Sequence, residues 1–398
     1  MVTRGLYRFM NDAYKHTTMR AAVLCDTGRM EIRDATRPDA GPGDVLVRVS
    51  AVGLCGTDFH IFSGEANYNT DDHGAPIPLA RHPQILGHEI AGIVEEVGSE
   101  TENLRAGDRV VLDQGLNCVS LRRAPVCEYC STGNSHQCAF YREHGITGLA
   151  GGLADYIAVP AVNAIRVDSD LDSAEAALTE PLGCIVHSSD MVERAHARYS
   201  VGSKDDDRRA RSVLICGAGP AGLLFTQYLR NALGFDGLLM VSEPNARKRN
   251  LAAGFGAEVI NPATADVIEA VREMTGGRRV EYLIEATGSG EIYKLIPGLI
   301  RKQATVLMYG HGLGGVDLRV MNNIMFMEPR LVASVGASGG FDADGRPSTY
   351  RRALNLIETG RIDVGSFITN RYASLDSVPD AFAGAHADPD YVKGVVTL

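Results

Sequence analysis

One stretch constrains the fold more than any other. Ser212-Val213-Leu214-Ile215-Cys216 reads as a strand buried on both faces, and it runs straight into Gly217-Ala218-Gly219-Pro220-Ala221-Gly222 and a helical segment, Leu223 to Leu229. A G-x-G-x-x-G pattern alone is weak, but a strand before it and a helix after it give it a mechanism. Gly217 permits the tight turn, Gly219 lets the backbone approach a pyrophosphate, and Gly222 allows close helix packing. Pro220 and Ala221 belong to the same turn, at the helix N-terminus that faces the phosphates. Glu243 ends the next strand, Leu239 to Glu243, about 20 residues on, where a carboxylate bonds both ribose hydroxyls and repels a 2'-phosphate. Arg247, Lys248 and Arg249 follow. They read as a solvated first turn of a helix, although one of them folded over the adenosine would neutralise a phosphate. NAD is therefore the expected cofactor, with NADP left open.

Around this point the chain alternates strands and helices. Leu238 to Ser242, Ala257 to Ile260, Tyr282 to Glu285 and Thr305 to Tyr309 follow the first strand with helical or loop segments between, the order of a parallel sheet. Before about Asp170 the texture differs. Residues 19 to 52 alternate apolar and polar with Pro and Gly between, as in short antiparallel strands, and Ala91 to Val97 and Val110-Val111 continue the pattern. After Arg330 a strand, a helix (Ser348 to Thr359) and a strand (Lys393 to Thr397) can rejoin the first domain. The loop from Ser63 to Pro83, rich in Asn, Asp, Gly and Pro, is longer than a connection requires, and such loops are often lids or binding walls.

At 398 residues there is room for two domains and a substantial core. A formal charge of −10 argues against a nucleic-acid partner, which needs clustered Lys and Arg. The apolar runs fall far short of the ~20 residues of a membrane span. Residues 1 to 18 read as an extension without the apolar segment of a secretory signal. Eight cysteines in so long a chain without such a signal point to metal ligands or buried small hydrophobes in the cytoplasm rather than a disulfide framework.

Two clusters carry metal chemistry. Cys127 and Cys130, two residues apart, with Cys138 close behind, can close most of a tetrahedral structural site; Cys118 is the natural fourth ligand and His136 the local alternative. In Gly53-Leu54-Cys55-Gly56-Thr57-Asp58-Phe59-His60 and Gly87-His88-Glu89, Cys55 and His88 supply a thiolate and an imidazole from separate loops. With a carboxylate they leave an open position on a catalytic zinc, and Glu89 and Glu180 compete for that role.

Cys55-Gly-Thr-Asp, Gly87-His88-Glu89 with Gly92, Gly107-Asp108-Arg109-Val110, the cysteine lobe, Glu180-Pro181 and the Gly217 to Gly222 turn occur in one order. Together they resemble the zinc-dependent medium-chain dehydrogenases. The likeness runs from about Met19 to Leu398. Glu180-Pro181, Val241-Ser242-Glu243-Pro244 and Ile284-Glu285-Ala286-Thr287-Gly288 are similar to its sorbitol, threonine and sugar dehydrogenase branch, which puts Thr287 among the cofactor-binding residues. The resemblance implies an α/β chain: a GroES-like β-rich catalytic domain over residues 1–184, a Rossmann doubly wound parallel-sheet domain over 185–337, and a segment, 338–398, returning to the first. It implies zinc on Cys55, His88 and Glu89 or Glu180, a proton relay through Thr57 and His60, and Asp58 behind His88. It also implies pairing of subunits through the apolar strand around Leu331 to Val335, as a dimer or tetramer. The sequence departs from the family in the lobe, where Ala124 stands three residues before Cys127 in place of the usual first cysteine. An insertion carrying Cys118 away from that position restores four ligands.

The expected reaction is reversible oxidation of a secondary alcohol in a polyol, sugar or related hydroxy compound, with hydride passing to NAD(P). A zinc-free enone or quinone reductase of the same fold is the nearest rival, and Cys55 with His88 argues against it. A non-catalytic nucleotide-binding structural or regulatory protein is the rival from another class.

Overall fold

The computed structural model describes residues 17–312, 316–384 and 388–398. The extension expected before Met19 thus lies, apart from Thr17 and Thr18, outside the described residues. The chain forms two compact units: one runs to Glu180 and includes Ser338–Leu354 and Ile368–Leu398, the other comprises Pro181–Ala337 and Asn355–Phe367. Among the described residues no helix is long and apolar enough to cross a membrane.

The first unit is β-rich. Its seven-stranded sheet centres on Asp44–Leu54, whose alternating valines point into a core shared with Leu86, Ile90, Leu112 and Leu153. Each such side chain contributes about 1.5–3 kcal/mol on burial. Register matters more here than bulk. The central strand pairs antiparallel with Glu89–Val97, setting Gly53 opposite Glu89, and on its other side with Lys393–Thr397, setting Leu54 opposite Gly394. Residues 53, 89 and 393 are brought together by these two pairings. The long loop after Ser63 is tied down by its own polar side chains. The Asp71 carboxylate accepts the His73 and Ala75 N–H groups at 2.9 Å each, and Asn67 donates to the Ile77 carbonyl at 2.8 Å.

The carboxyl-terminal return is not continuous, and this corrects the expectation for residues 338–398. Asn355–Phe367 belongs to the second unit because its polar groups are satisfied there. Gln227 donates to the Asp363 carbonyl at 2.8 Å and accepts the Asp363 N–H at 2.7 Å, and Asn231 donates to the Arg361 carbonyl at 2.9 Å.

The second unit is a six-stranded, all-parallel sheet. From edge to edge its strands are Glu258–Ile260, Leu238–Ser242, Ser212–Cys216, Val280–Glu285, Ile300–Met308 and Arg330–Ala333. In chain order this is 3-2-1-4-5-6, the doubly wound arrangement, with the glycine turn following the strand at the topological switch point. Every residue of Ser212–Cys216 is buried, as its composition requires. The helix after the turn begins at Pro220, whose fixed backbone angle and missing N–H suit the first helical position.

Candidate active site

Cys55 caps the N-terminus of the helix Gly56–Ser63. Asp58, wholly buried three residues on, accepts the Cys55 N–H at 2.9 Å with one oxygen and the Gly87 N–H at 3.1 Å with the other. One carboxylate thereby ties the thiol loop to the histidine loop. The same oxygen that meets Gly87 stands 3.4 Å from His88 Nδ1, leaving His88 Nε2 as the nitrogen for a metal. The donor atoms of Cys55, His88 and Glu89 all lie within 4.8 Å of one another. Burial opposes charge on His88, but Asp58 and Cys55 outweigh it and hold its pKa well above the ordinary imidazole value.

Glu89 is fully buried, and its strand partner explains how it fits: a Cβ on Gly53 would stand 1.9 Å from Glu89 Oε2. Lys393 donates to Glu89 Oε1 at 2.5 Å and to the Leu54 carbonyl at 2.9 Å. Among the described residues Glu89 Oε2 has no hydrogen-bond partner. A buried, unpartnered carboxylate oxygen beside a thiol and an imidazole fits a zinc ion. Glu180 is not part of this donor group. It is buried elsewhere in the same unit, where its Oε1 accepts a hydrogen bond from Gln114 Nε2 at 3.1 Å.

The four lobe cysteines converge. Cys118 Sγ stands 3.7 Å from Cys138 Sγ, and Cys127 Sγ 3.9 Å from Cys138 Sγ. These are not disulfide separations. Tetrahedral zinc with Zn–S of about 2.3 Å has S···S edges of about 3.8 Å, which matches. All four sulfurs form one donor group, so the nine-residue separation of Cys118 from Cys127 is spanned, and Ala124 needs no replacement. Backbone hydrogen bonds, chiefly from Cys130 and Ala139, lower the Cys127 pKa to about 6, while burial raises that of Cys130. His136 is not the fourth ligand: its Nε2 stands 3.2 Å from Asp113 Oδ1, and its ring packs on Tyr141 with centroids 5.0 Å apart.

At the glycine turn, Gly217 has φ +97°, which a side chain would strain. A Cβ on Gly222 would lie 2.0 Å from the Gly217 carbonyl oxygen, and one on Gly219 would meet nothing within 4 Å. The turn is tight below and open above, the shape for a pyrophosphate over a helix N-terminus. Glu243 is buried beneath it, accepting the Ala218 and Asn245 N–H groups at 2.8 Å each. Arg249 donates to the Glu243 carbonyl at 2.8 Å, so its guanidinium is anchored on the main chain. Thr287 Cγ2 would lie 2.9 Å from a Cβ on Gly217, and Thr287 donates through N–H and hydroxyl to the buried Glu285 carboxylate.

Residues 41–169 match the alcohol dehydrogenase GroES-like domain and residues 220–359 the zinc-binding dehydrogenase family. The L-threonine 3-dehydrogenase of Pyrococcus furiosus is 30% identical over 353 residues, covering 88% of this chain and 90% of that one. The chain belongs to the zinc-dependent medium-chain dehydrogenases. The sorbitol dehydrogenase of Arabidopsis thaliana is 28% identical over 95% of each chain. A solved structure from Sinorhizobium meliloti 1021, described as a zinc-binding dehydrogenase bound to NADP, shares 30% identity and a TM-score of 0.77 over 96% of this chain and 99% of that one. As a member of this family the protein is an NAD(P)-dependent dehydrogenase with a GroES-like and a Rossmann domain.

Within this dehydrogenase, Thr57 and His60 occupy positions i and i+3 of one helix, hence the same face. Thr57 Oγ1 is 3.8 Å from Cys55 Sγ, and His60 Nδ1 meets the exposed Glu65 at 2.6 Å. Sequence reading missed Lys393, Gln114, Tyr350 and Glu285. A lysine in an otherwise apolar final strand, Lys393-Gly394-Val395-Val396, was the one available signal.

Proposed function

We propose that this dehydrogenase catalyses the reversible oxidation of a secondary alcohol in a polyol, sugar or related hydroxy compound, using NAD. The observation that carries the reading is the donor group of Cys55, His88 and Glu89, its three donor atoms within 4.8 Å. Bound zinc supplies Lewis acidity that favours loss of the hydroxyl proton, and bound NAD supplies the hydride acceptor. Asp58 holds the His88 ring by its Nδ1 side and fixes both ligand loops. Lys393 pairs with Glu89 and orients it. Thr57, beside Cys55, passes the hydroxyl proton along the helix face to His60, whose exposed ring releases it to water.

NAD is preferred over NADP because the carboxylate of Glu243, held by two backbone N–H groups beneath the glycine turn, would repel a 2'-phosphate. The relatives named as threonine and sorbitol dehydrogenases support a hydroxyl flanked by polar groups as substrate. Eight free cysteines suit a reducing compartment such as the cytoplasm. A dimer or larger assembly is supported by the edge strand Arg330–Ala333 and the exposed Leu318, Met325, Phe326 and Val335 around it.

The test is NAD and NADP reduction by a panel of polyols, sugars and β-hydroxy amino acids, with zinc measured on the same sample. Turnover should require two zinc ions per chain and favour NAD, and Cys55→Ser should abolish it while leaving NAD affinity within about twofold. Equal turnover by metal-free protein would overturn the mechanism.

A further inference from the structure

Outside the site described above, the second unit holds a cleft of about 610 Å³. One wall comes from the connection that follows the helix Thr179–Arg194, residues 195–211, and the other from Gln303, Glu328 and Arg330. Gln303 lies near the start of the strand Ile300–Met308 and Arg330 begins Arg330–Ala333, whereas the glycine turn follows the end of Ser212–Cys216. Because these strands run parallel in one sheet, the cleft and the pyrophosphate turn lie at opposite ends of it.

Three exposed arginines, Arg198, Arg208 and Arg330, line the cleft, and each is held by a neutral acceptor. Arg208 donates to the Ala197 carbonyl at 3.3 Å, Arg330 to the His196 carbonyl at 3.0 Å and Arg198 to Gln303 Oε1 at 3.3 Å. Among the described residues none of the three enters an ion pair. Their neighbours do: Arg209 meets Asp236 at 2.5 Å, Arg211 meets Asp206 at 3.4 Å and Arg301 meets Glu281 at 2.6 Å. A guanidinium has five N–H donors, so the three that line the cleft are oriented without being neutralised or filled. Gln303 in turn donates through Nε2 to Glu328 Oε2 at 3.4 Å. Both residues have positive φ, 62° and 46°, and they are two of the four non-glycine residues so placed among the described residues. Backbone held in such a conformation concentrates where ligands are clamped.

We propose that this cleft binds a small phosphate ester bearing hydroxyl groups, at a site separate from those of NAD(P) and the alcohol. A carboxylate offers two oxygens, which one guanidinium fork satisfies, whereas a phosphate ester offers three and nearly two charges. Three guanidiniums around one cleft match the phosphate. The cleft also holds the carboxylates of Asp207 and Glu328, which repel a second anionic group and accept O–H donors. The ligand is therefore anionic at one end and hydroxylated at the other, and the volume falls in the range of small-molecule sites.

The experiment is calorimetric titration of the full-length, zinc-loaded protein saturated with NADH, which fills the dinucleotide site and prevents turnover. The probes are ribose 5-phosphate, inorganic phosphate, ribose and citrate. Ribose 5-phosphate should bind at one site per chain without displacing NADH, more tightly than inorganic phosphate or citrate, and ribose should give no heat. Arg208→Gln should weaken ribose 5-phosphate by at least about tenfold, the worth of a hydrogen bond to a charged group. Arg198→Gln/Arg208→Gln should remove the binding, with NADH affinity within about twofold of wild type. Arg209→Gln, on the same connection but paired with Asp236, should leave ribose 5-phosphate affinity within about twofold. Arg330 is left intact because it begins the edge strand proposed above to pair subunits. No saturable binding up to about 10 mM, loss of NADH on titration, or undiminished affinity in the arginine variants overturns the proposal. Inorganic phosphate or citrate binding as tightly as ribose 5-phosphate also overturns it. Should the double variant fail to fold, Arg208→Gln decides by the same criteria. None of these readouts depends on which alcohol is oxidised, so the functional reading stands or falls separately.

Discussion

Replacing Lys393 with methionine keeps the volume of the side chain and removes its charge. The Nζ to Oε1 separation of 2.5 Å corresponds to a gross attraction of roughly 7 kcal/mol at an effective dielectric near 20. Desolvating two ions in so buried a place offsets most of it, and breaking a buried pair by removing one member costs roughly 3–5 kcal/mol. At about 2–4 °C per kcal/mol, metal-free Lys393→Met should melt roughly 6–20 °C below the metal-free wild type. Zinc at the neighbouring Cys55 and His88 changes the expectation, because a cation there shares the charge of Glu89. The zinc-loaded variant should therefore lose less than half as much. Thermal denaturation of both proteins, with and without zinc, followed by circular dichroism, measures the difference. Burial opposes the charge on Lys393, but Glu89 and Cys55 raise its pKa above the ordinary lysine value. Its stabilisation is thus complete below the ordinary lysine pKa and is lost only as pH rises through the raised one, so the result should not change between pH 6 and 8. A loss under ~2 °C in metal-free protein, or the same loss with and without zinc, would refute the reasoning.

Cys118→Ala should remove one of two zinc ions per chain and lower the melting temperature, while a variant at the unclustered Cys25 should retain both, as inductively coupled plasma measurement would show. His88 has its pKa raised in the metal-free protein, so its pairing with Asp58 stabilises that form below the ordinary imidazole pKa and is lost as pH rises through the raised value. Protons therefore compete with the metal, and zinc affinity measured by chelator competition should fall by about tenfold per pH unit between pH 8 and 6 for one displaced proton. A flat profile would mean that His88 is not a ligand. Gly222→Ala drives a Cβ to 2.0 Å from a backbone oxygen and should cut NAD binding by at least about tenfold in calorimetry. Glu243→Ser should raise the KM for NAD and narrow the gap to NADP.

What sequence makes legible here is whatever is local or periodic. The strand Ser212–Cys216, the turn after it and the spacing to Glu243 lie within one βαβ unit, where glycine stereochemistry and strand burial dictate geometry. The cysteine lobe is nearly as local. Ala124 made its completion by Cys118 an open question, since the intervening residues must loop out, with Arg122 at φ 48°, before Cys127 starts the next helix. Beyond local reach, pattern fails for a physical reason. Whether Glu89 or Glu180 joins Cys55 and His88 depends on strand register: Gly53 opposes Glu89 only because the pairing of the central strand shifts twice along its length. No periodicity announces a bulge. Likewise, a run such as Asn355–Phe367 is assigned to a unit by side-chain hydrogen bonds to Gln227 and Asn231, more than a hundred residues away.

Two of the residues that sequence reading missed share an origin. Lys393, which holds Glu89, comes from the last strand, and Tyr350, which orients the amide on Glu180, comes from the helix that begins the return. Glu89 and Glu180 are thus each tethered, directly or through Gln114, by a group that the return contributes to the first unit. The tethers differ in kind. Lys393 is a charge, so it competes with a cation for Glu89 and is sensitive to metal occupancy. Tyr350 acts through the neutral amide of Gln114. Combining Lys393→Met with Tyr350→Phe should therefore give additive losses in stability for metal-free protein, since the two tethers act on separate carboxylates. In zinc-loaded protein the loss from Lys393→Met should shrink while that from Tyr350→Phe should not, because Glu180 lies outside the donor group of Cys55, His88 and Glu89. Coupling of the two losses in either form, measured by denaturant unfolding, would refute the separation of the two carboxylates.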